Sequence, residues 1–360
     1  MQILDKVKNF IFKAKNFVFK AKNFVSKLQE NITPKTLVLC LLLCIFPLLT
    51  YGTDAIASLF SNFNIFLPIP SGDYLIYISI QVCVYILLAV GLNIVCGYTG
   101  LLDLGYVGFY LIGGYTAGLL MRHAGVSYWF VVPIAILNGA LWGLIRGAPT
   151  LKLTGDYFAI VTFGFAEILF RIVKNEIWLI RDINGFVKEI PRATIFGLEL
   201  NKNWQHYYHI LILTAVVIFV SYRLEHSRIG RAWIAIREDE QAAASMGINI
   251  SKYKSLAFAI SAAMGALGGA FLAQFWGNLS AKAFEFWESI LILCMVILGG
   301  KGSIKGSILG AIIIGSLSEV LRIVLQQFPP DFAGSRYLIF GIVLVLLMRF
   351  RPAGLIFKKT

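Results

Sequence analysis

Arg237, Glu238, Asp239 and Glu240 form an unbroken run of charges in a chain whose residues are only 14% charged. Adjacent charges of opposite sign make neither a nucleophile nor an acid–base pair; they make a surface for recognition. The run lies within residues 223–254, RLEHSRIGRAWIAIREDEQAAASMGINISKYK. This stretch carries six basic residues (Arg223, Arg228, Arg231, Arg237, Lys252, Lys254) and four acids, Glu225 with the adjacent Glu238, Asp239 and Glu240. Acids at the head of EDEQAAASM and Gly247 at its end suit the dipole and C-cap of a short helix. Strongly apolar segments flank the stretch on both sides. The pattern predicts a docking helix presented in the cytoplasm.

Ionisable residues inside apolar segments are the other candidates for chemistry, because charge is costly there. Asp103 is the one ionisable residue in GLNIVCGYTGLLDLGYVGFYLIGGYTAGLLM (91–121). Two readings compete for it: a cap on the following helix at the membrane surface, or a polar group lining a pathway. Glu167 and Arg171 are spaced i, i+4, which favours a neutralised structural pair on one helix face. Glu319 and Arg322 repeat that logic at i, i+3.

Catalytic and metal chemistry find little support. His123, His206, His209 and His226 have no metal-ligand partners at useful spacing, and His206 and His209 are expected at the outer interface. Cys40, Cys44, Cys83, Cys96 and Cys294 all lie in apolar runs, the pattern of buried free thiols rather than of a disulfide or zinc site. The segment GGKGSIKGS (299–307) lacks the Lys-Ser/Thr step and the leading glycine of a phosphate-binding loop. There is no nucleophilic elbow and no paired-carboxylate site. An enzyme is not expected, nor any cofactor or metal held by this chain.

The elements that must position these residues are membrane helices. The sequence is 58% hydrophobic, with a mean hydropathy of +0.77, well outside the soluble norm. Apolar runs predict an all-α polytopic bundle of about ten spans, near 37–53, 74–96, 104–121, 128–146, 156–173, 206–222, 255–277, 286–299, 306–325 and 336–349. Some of these are expected to be broken or re-entrant. Basic residues collect on one side: the lysines before Leu37, Arg146 and Lys152, the 223–254 island, Lys301 and Lys305, and Arg349 to Lys359. By the positive-inside rule that side is the cytoplasm, with both termini on it and loop 174–205 opposite. Topology accounts for the net charge of +13 without a nucleic-acid partner.

Two further patterns concern packing. KNFIFKA, KNFVFKA and KNFVSKL (8–28) place an apolar stripe between lysines, which predicts an amphipathic helix over 1–35 lying in the membrane interface near anionic headgroups. Ser261, Gly265, Gly269 and Ala273 recur every four residues and predict a smooth helix face for close helix–helix approach. Gly114 and Gly118 form a similar small pair. Gly97 and Gly100 flank an expected unwound turn.

Taken together, GLNIVCGYTGLLDLGYVGFYLIGGYTAGLL, LTGDYFAIVTFGFAEI, SRIGRAWIAIREDEQAAASMGIN, AFAISAAMGALGGAFLA, MVILGGKGSIKGSILGA and the terminal MRFRPAGL resemble the LivM family. That family comprises membrane subunits of ABC importers for branched-chain amino acids, and the resemblance covers roughly residues 85–355. It implies a permease domain over 36–355 with a short tail at 356–360, in a bacterial cytoplasmic (inner) membrane. It also implies a second related permease, two cytoplasmic ATPases that bind the ATP, and an extracytoplasmic solute-binding protein. Arg237, Glu238, Asp239, Glu240, Ala242, Ala243 and Gly247 then become the ATPase-coupling helix, Gln241 interrupting the usual Glu-Ala-Ala.

Solute would pass between the two permeases, and Asn93, Gly97, Tyr98, Thr99, Gly100, Asp103, Tyr110 and Gly114 are the candidate pathway residues. Broken helices of this kind offer backbone polar groups to a solute. The segment 180–191, IRDINGFVKEIP, departs from the family's Gly-rich turn: Asn184 and Gly185 remain, but Arg181, Asp182 and Ile183 replace its start. Permeases for urea or short amides share much of the pattern. An ion-coupled secondary transporter is the reading from another class, with Glu167, Asp103 or Glu319 as ion sites.

Overall fold

The computed structural model describes residues 71–150, 153, 155–175, 185–195 and 198–326, with a few isolated positions nearer the termini. The expected interfacial helix 1–35, most of the spans at 37–53 and 336–349, and the tail 356–360 lie outside the described residues. So do Cys40, Cys44 and the Arg181–Asn184 segment.

The regular structure among the described residues is helical apart from one short strand pair. Its helices are α1 (Gly72–Asn93), α2 (Val107–His123), α3 (Tyr128–Thr150), α4 (Gly155–Asn175), α5 (Asn203–Glu225), α6 (Arg228–Glu238), α7 (Glu240–Ser245), α8 (Ile250–Trp276), α9 (Phe286–Gly299) and α10 (Ile304–Gln326). A π-helical turn, Ile94–Tyr98, continues α1, and strands β1 (Thr194–Ile195) and β2 (Leu198–Glu199) pair antiparallel. Every span expected between residues 74 and 325 is a helix, with ends shifted by a few residues. Four of the described helical segments are long and apolar enough to cross a membrane: Gly72–Tyr98, Tyr128–Thr150, Asn203–Glu225 and Ile250–Trp276.

Helix α8 is the central post. Lipid tails are as apolar as leucine, so close packing rather than apolar transfer must hold membrane helices together. Its small residues supply that packing. A Cβ on Gly269 would stand 2.0 Å from the Tyr110 carbonyl oxygen of α2, and one on Gly113 of α2 would stand 2.0 Å from the Ala266 carbonyl oxygen. On the α3 side, Gly139, Gly143 and Gly147 descend in step against Ala266, Ala262 and Phe258. That order makes α3 antiparallel to α8. Ser261 also donates to the Gly91 carbonyl of α1 at 2.8 Å. The smooth-face expectation for 261–273 is met at the level of atoms.

Faces turned away from α8 stay apolar and open. Phe130 and Leu137 on α3, Tyr157 and Ile160 on α4, and Ile212 on α5 are all more than 60% exposed in the chain alone. Rows of this kind on long helices suit lipid or another membrane subunit.

Helices α9 and α10 form a tight antiparallel hairpin, closed by Gly300 (φ 115°) and Gly302 (φ 81°). A Cβ on Gly299 would meet the Gly306 carbonyl oxygen at 2.0 Å. The segment 299–307, which lacks the features of a phosphate-binding loop, is a helix-hairpin turn. At the opposite end of the bundle, Val187 and Leu279 exchange backbone hydrogen bonds of 2.9 and 2.8 Å, and Tyr115 donates to the Gly185 carbonyl. These contacts staple the described part of the 174–205 loop onto the end of α8.

Candidate functional site: the 223–254 segment and the broken end of helix α1

The charged island folds as two capped helices. Ser227 Oγ accepts from the backbone N–H groups of Ile229 and Gly230 at 3.1 and 3.2 Å, starting α6. Asp239 stands at φ −156°, ψ 112° between α6 and α7, and its Oδ1 accepts from Ala242 N at 2.9 Å. A side-chain acceptor there satisfies one of the N–H groups orphaned at a helix start. Gly247 closes α7 in the left-handed region at φ 81°, and Ile248 N reaches back to the Ala243 carbonyl. Acids at the head and glycine at the end thus act as expected, with Asp239 as the cap.

This segment is fastened to α8. Lys254 Nζ, 2% exposed, donates to Glu240 Oε2 at 2.7 Å, and Trp233 Nε1 donates to the Tyr253 carbonyl at 2.7 Å. Ala243 faces inward, while Gln241, Ala242, Ala244, Ser245 and Met246 face out, Met246 being 84% exposed. The result is a rigidly mounted short helix with a small-residue outer face and one large apolar tip.

The structure brings the two predicted residue sets together at one point. Arg237 Nη1 donates to the Gly97 carbonyl at 3.0 Å, on the last turn of the π-helix. Its Nε and Nη2 both donate to Glu238 Oε1, at 3.2 and 2.6 Å. Tyr98 stacks parallel to Trp233, centroids 6.5 Å apart, and its hydroxyl donates to Glu225 Oε2 at 3.2 Å. Asn93 Oδ1 accepts from Gly302 N at 2.9 Å, tying α1 to the α9–α10 turn. A cavity of about 340 Å³ opens here, lined by Gly97, Tyr98, Glu225, Arg237, Lys301 and Gly302 among others.

Beyond Tyr98 the backbone is non-helical, as expected, until Val107. Irregular backbone is tolerated in a membrane bundle only where protein satisfies its polar groups. That condition holds: Leu101 N donates to the Val95 carbonyl, Leu104 N to Thr162 Oγ1, Gly105 N to Asp103 Oδ1 and Val107 N to Ser289 Oγ. Thr99 Oγ1 likewise donates to the Val95 carbonyl at 2.7 Å. Gly100 supplies the left-handed residue, φ 75°.

Asp103 does not cap α2; Tyr106 stands at that N-cap. Instead both Asp103 oxygens accept from Arg146, at 2.9 and 2.5 Å, with the two side chains 0% and 2% exposed. Arg146 was expected as a basic residue at a cytoplasmic stop; it lies within α3, its guanidinium 4.3 Å from the Phe109 ring centroid and also over Phe165 and Phe258. A buried carboxylate requires a partner, and the arginine supplies it in bidentate form.

Tyr110 and Gly114 lie elsewhere, packed on Phe284 and Gly269 in the α2–α8 contact. The candidate pathway residues therefore divide into a cluster at the α1 break and a buried packing pair. Glu167 and Arg171 do form a pair, at 2.8 Å. His206 and His209, expected at the outer interface, are buried among aromatic rings, His206 against Phe275 and His209 against Tyr128 and Phe271. Cys83, Cys96 and Cys294 are buried free thiols. Among the described residues no three His, Cys, Asp or Glu side chains gather as a metal site.

Trp233, Glu225 and Gly302 are site residues that the motifs did not single out. The positive-φ glycine turn GGKG and the lone tryptophan in the island were their only signals.

Residues 74–348 match the family described as "Branched-chain amino acid transport system / permease component". The chain belongs to that permease family. Among curated members, it is 37% identical over 302 residues to the high-affinity branched-chain amino acid transport system permease protein LivM of Salmonella typhimurium, covering 78% of this chain and 69% of that one. The LivM protein of Escherichia coli is 38% identical over 296 residues, covering 76% and 68%. The permease protein LivH of Salmonella typhimurium is more distant, 26% identical over 300 residues, covering 76% and 91%. No solved structure matches. Family membership makes the helical bundle a multi-pass membrane permease, and the matched region includes α1 with its π-turn and the whole of 223–254.

Proposed function

We infer that this chain is the transmembrane permease subunit of an ABC importer that carries leucine, isoleucine and valine inward. The observation that carries the reading is the capped α6–α7 unit, with its exposed outer face, in a chain that is 37–38% identical to LivM permeases. A rigid helix presented at one end of a membrane bundle is suited to fill a cleft on a soluble ATPase. Ala242, Ala244 and Ser245 offer close approach, and Met246 offers an apolar anchor of a type enriched at protein–protein interfaces. Arg237, Glu238, Asp239, Glu240, Ala242, Ala243 and Gly247 form this coupling unit.

The partners are a second permease of the LivH kind, two cytoplasmic ATPases that bind the ATP, and an external solute-binding protein. The end of the bundle carrying Arg237, Lys254 and Lys301 faces the cytoplasm, as does each terminus. The end stapled by Val187 and Leu279 faces the binding protein. Chemistry belongs to the ATPases; this chain supplies the path. ATP binding closes the ATPases and supplies the differential free energy that moves the spans between inward and outward access. A zwitterion meets half-helix ends and backbone groups along that path rather than isolated charges.

The test is uptake of labelled leucine and labelled urea by vesicles holding this chain with its neighbouring subunits, with and without ATP. ATP-dependent leucine uptake supports the reading. ATP-dependent uptake of urea alone overturns the solute. Gradient-driven uptake that ignores ATP overturns the permease assignment in favour of an ion-coupled carrier.

A further inference from the structure

The Arg237 side chain occupies a socket built from three glycines on two segments far apart in sequence, Gly97 with Gly100 and Gly302. A Cβ on Gly100 would stand 2.9 Å from Arg237 Cγ, and one on Gly302 would stand 2.9 Å from Arg237 Nη1. Gly97 accepts the guanidinium hydrogen bond, and a Cβ there would collide with Asn93 Oδ1 at 2.1 Å and Gly302 N at 2.4 Å. Gly100 and Gly302 also stand at positive φ, 75° and 81°. Side chains at any of these positions would displace the arginine or the turns that hold it.

The socket joins three separate parts of the chain. Arg237 is the penultimate residue of α6, two positions before Asp239, the single residue that joins α6 to α7. Gly97 and Gly100 belong to the break in α1, and Gly302 to the turn that starts α10. Glu238 holds the guanidinium from the outer side, so its planar fork bridges the charged helix link and the backbone of the membrane helix. Tyr98 on Trp233 and Tyr98 with Glu225 add two more contacts across the same seam. The adjoining cavity of about 340 Å³ leaves room for the arginine and the π-turn to shift against one another. Residues 94–98 are π-helical, a rare form that recurs as single turns at functional sites.

We propose that Arg237 is the positioning residue that transmits movement of the coupling unit into the membrane, drawing on the α1 break and the α9–α10 turn together. This rests on the reading of the chain as an ABC-importer permease. Arg237 touches neither nucleotide nor solute; its role is to make ATPase movement and helix movement one event. Lysine is a poor substitute, because a single ammonium cannot reach Gly97 and Glu238 in the fork geometry of guanidinium.

The experiment uses the full importer in proteoliposomes with its binding protein, comparing wild type with Arg237→Ala, Arg237→Lys and the control Arg228→Ala on the exposed part of α6. Solute uptake and ATP hydrolysis are measured on the same assembled complexes, checked by subunit stoichiometry. For Arg237→Ala and Arg237→Lys the expected result is a fall of about tenfold in solute moved per ATP hydrolysed, with ATP hydrolysis retained. Arg228→Ala should match wild type. Where Arg237→Ala does not assemble, Arg237→Lys carries the comparison. Uptake and hydrolysis falling together in assembled complexes would assign Arg237 to docking and overturn the proposal. An unchanged ratio would overturn it too. A wild-type complex with no ATP-driven uptake would instead remove the permease reading beneath it.

Discussion

Asp103 and Arg146, 43 residues apart in sequence, meet in a bidentate ion pair with both side chains buried. The pair locks the irregular segment after the α1 break onto α3. Removing one partner leaves the other charged and dry, whereas replacing both with apolar groups removes the desolvation cost as well. Asp103→Leu or Arg146→Met alone should therefore destabilise the permease by about 3–5 kcal/mol, and the double variant by much less. Thermal unfolding of the purified complex, followed by size-exclusion chromatography, reads this. Equal damage from the double variant would mean that the pair acts by more than mutual neutralisation.

Lys254 and Glu240 make an asymmetric pair: the lysine is 2% exposed and the glutamate 41%. Glu240→Gln strands a buried ammonium, while Lys254→Met fills the same space with an apolar side chain. The expected order of thermal midpoints is wild type near Lys254→Met, with Glu240→Gln clearly lower. A Glu240 variant consequently perturbs folding, so it is a poor probe of the proposed ATPase docking.

Met246 is the better probe, because its backbone caps α7 while the residue is 84% exposed. Met246→Glu should leave the permease folded yet reduce co-purification of the ATPases by about tenfold or more. Undiminished ATPase recovery would place the docking surface elsewhere.

Glycine positions divide sharply by what a methyl group would meet. Gly269→Ala drives a Cβ to within 2.0 Å of the Tyr110 carbonyl oxygen, whereas at Gly164 the space within 4 Å is empty. Gly269→Ala should cost about 1–3 kcal/mol or more from overpacking. Gly164→Ala should be neutral or slightly stabilising, through helix propensity. Expression and melting of the two variants side by side decide it.

Local pattern carried much of this protein and stopped where long-range pairing began. Runs of apolar residues located the spans because helix length in a bilayer is set by the solvent. The acidic head and the glycine end of α7 were legible because such signals act within a few residues. Arg146 was misplaced because a basic residue near the end of an apolar run reads as a surface stop; only the fold reveals Asp103 beside it. Nor does the sequence show that rings from α3 and α8 enclose His206 and His209. Gly97, Gly100 and Arg237 were each singled out in sequence, yet nothing local shows that the first two receive the third.

The backbone contacts among α2, α3 and α8 have a mechanical consequence. Gly113 on Ala266, Gly139 on Ala266 and Ala262, and Gly269 on Tyr110 interlock at distances that leave no space for a side chain to rotate or for one helix to ratchet past its neighbour. These three helices behave as a stator. Whatever turns during a transport cycle must turn around them, and the segments outside this three-helix interlock, the end of α1 and the α9–α10 hairpin, meet one another at Gly97 and Gly302.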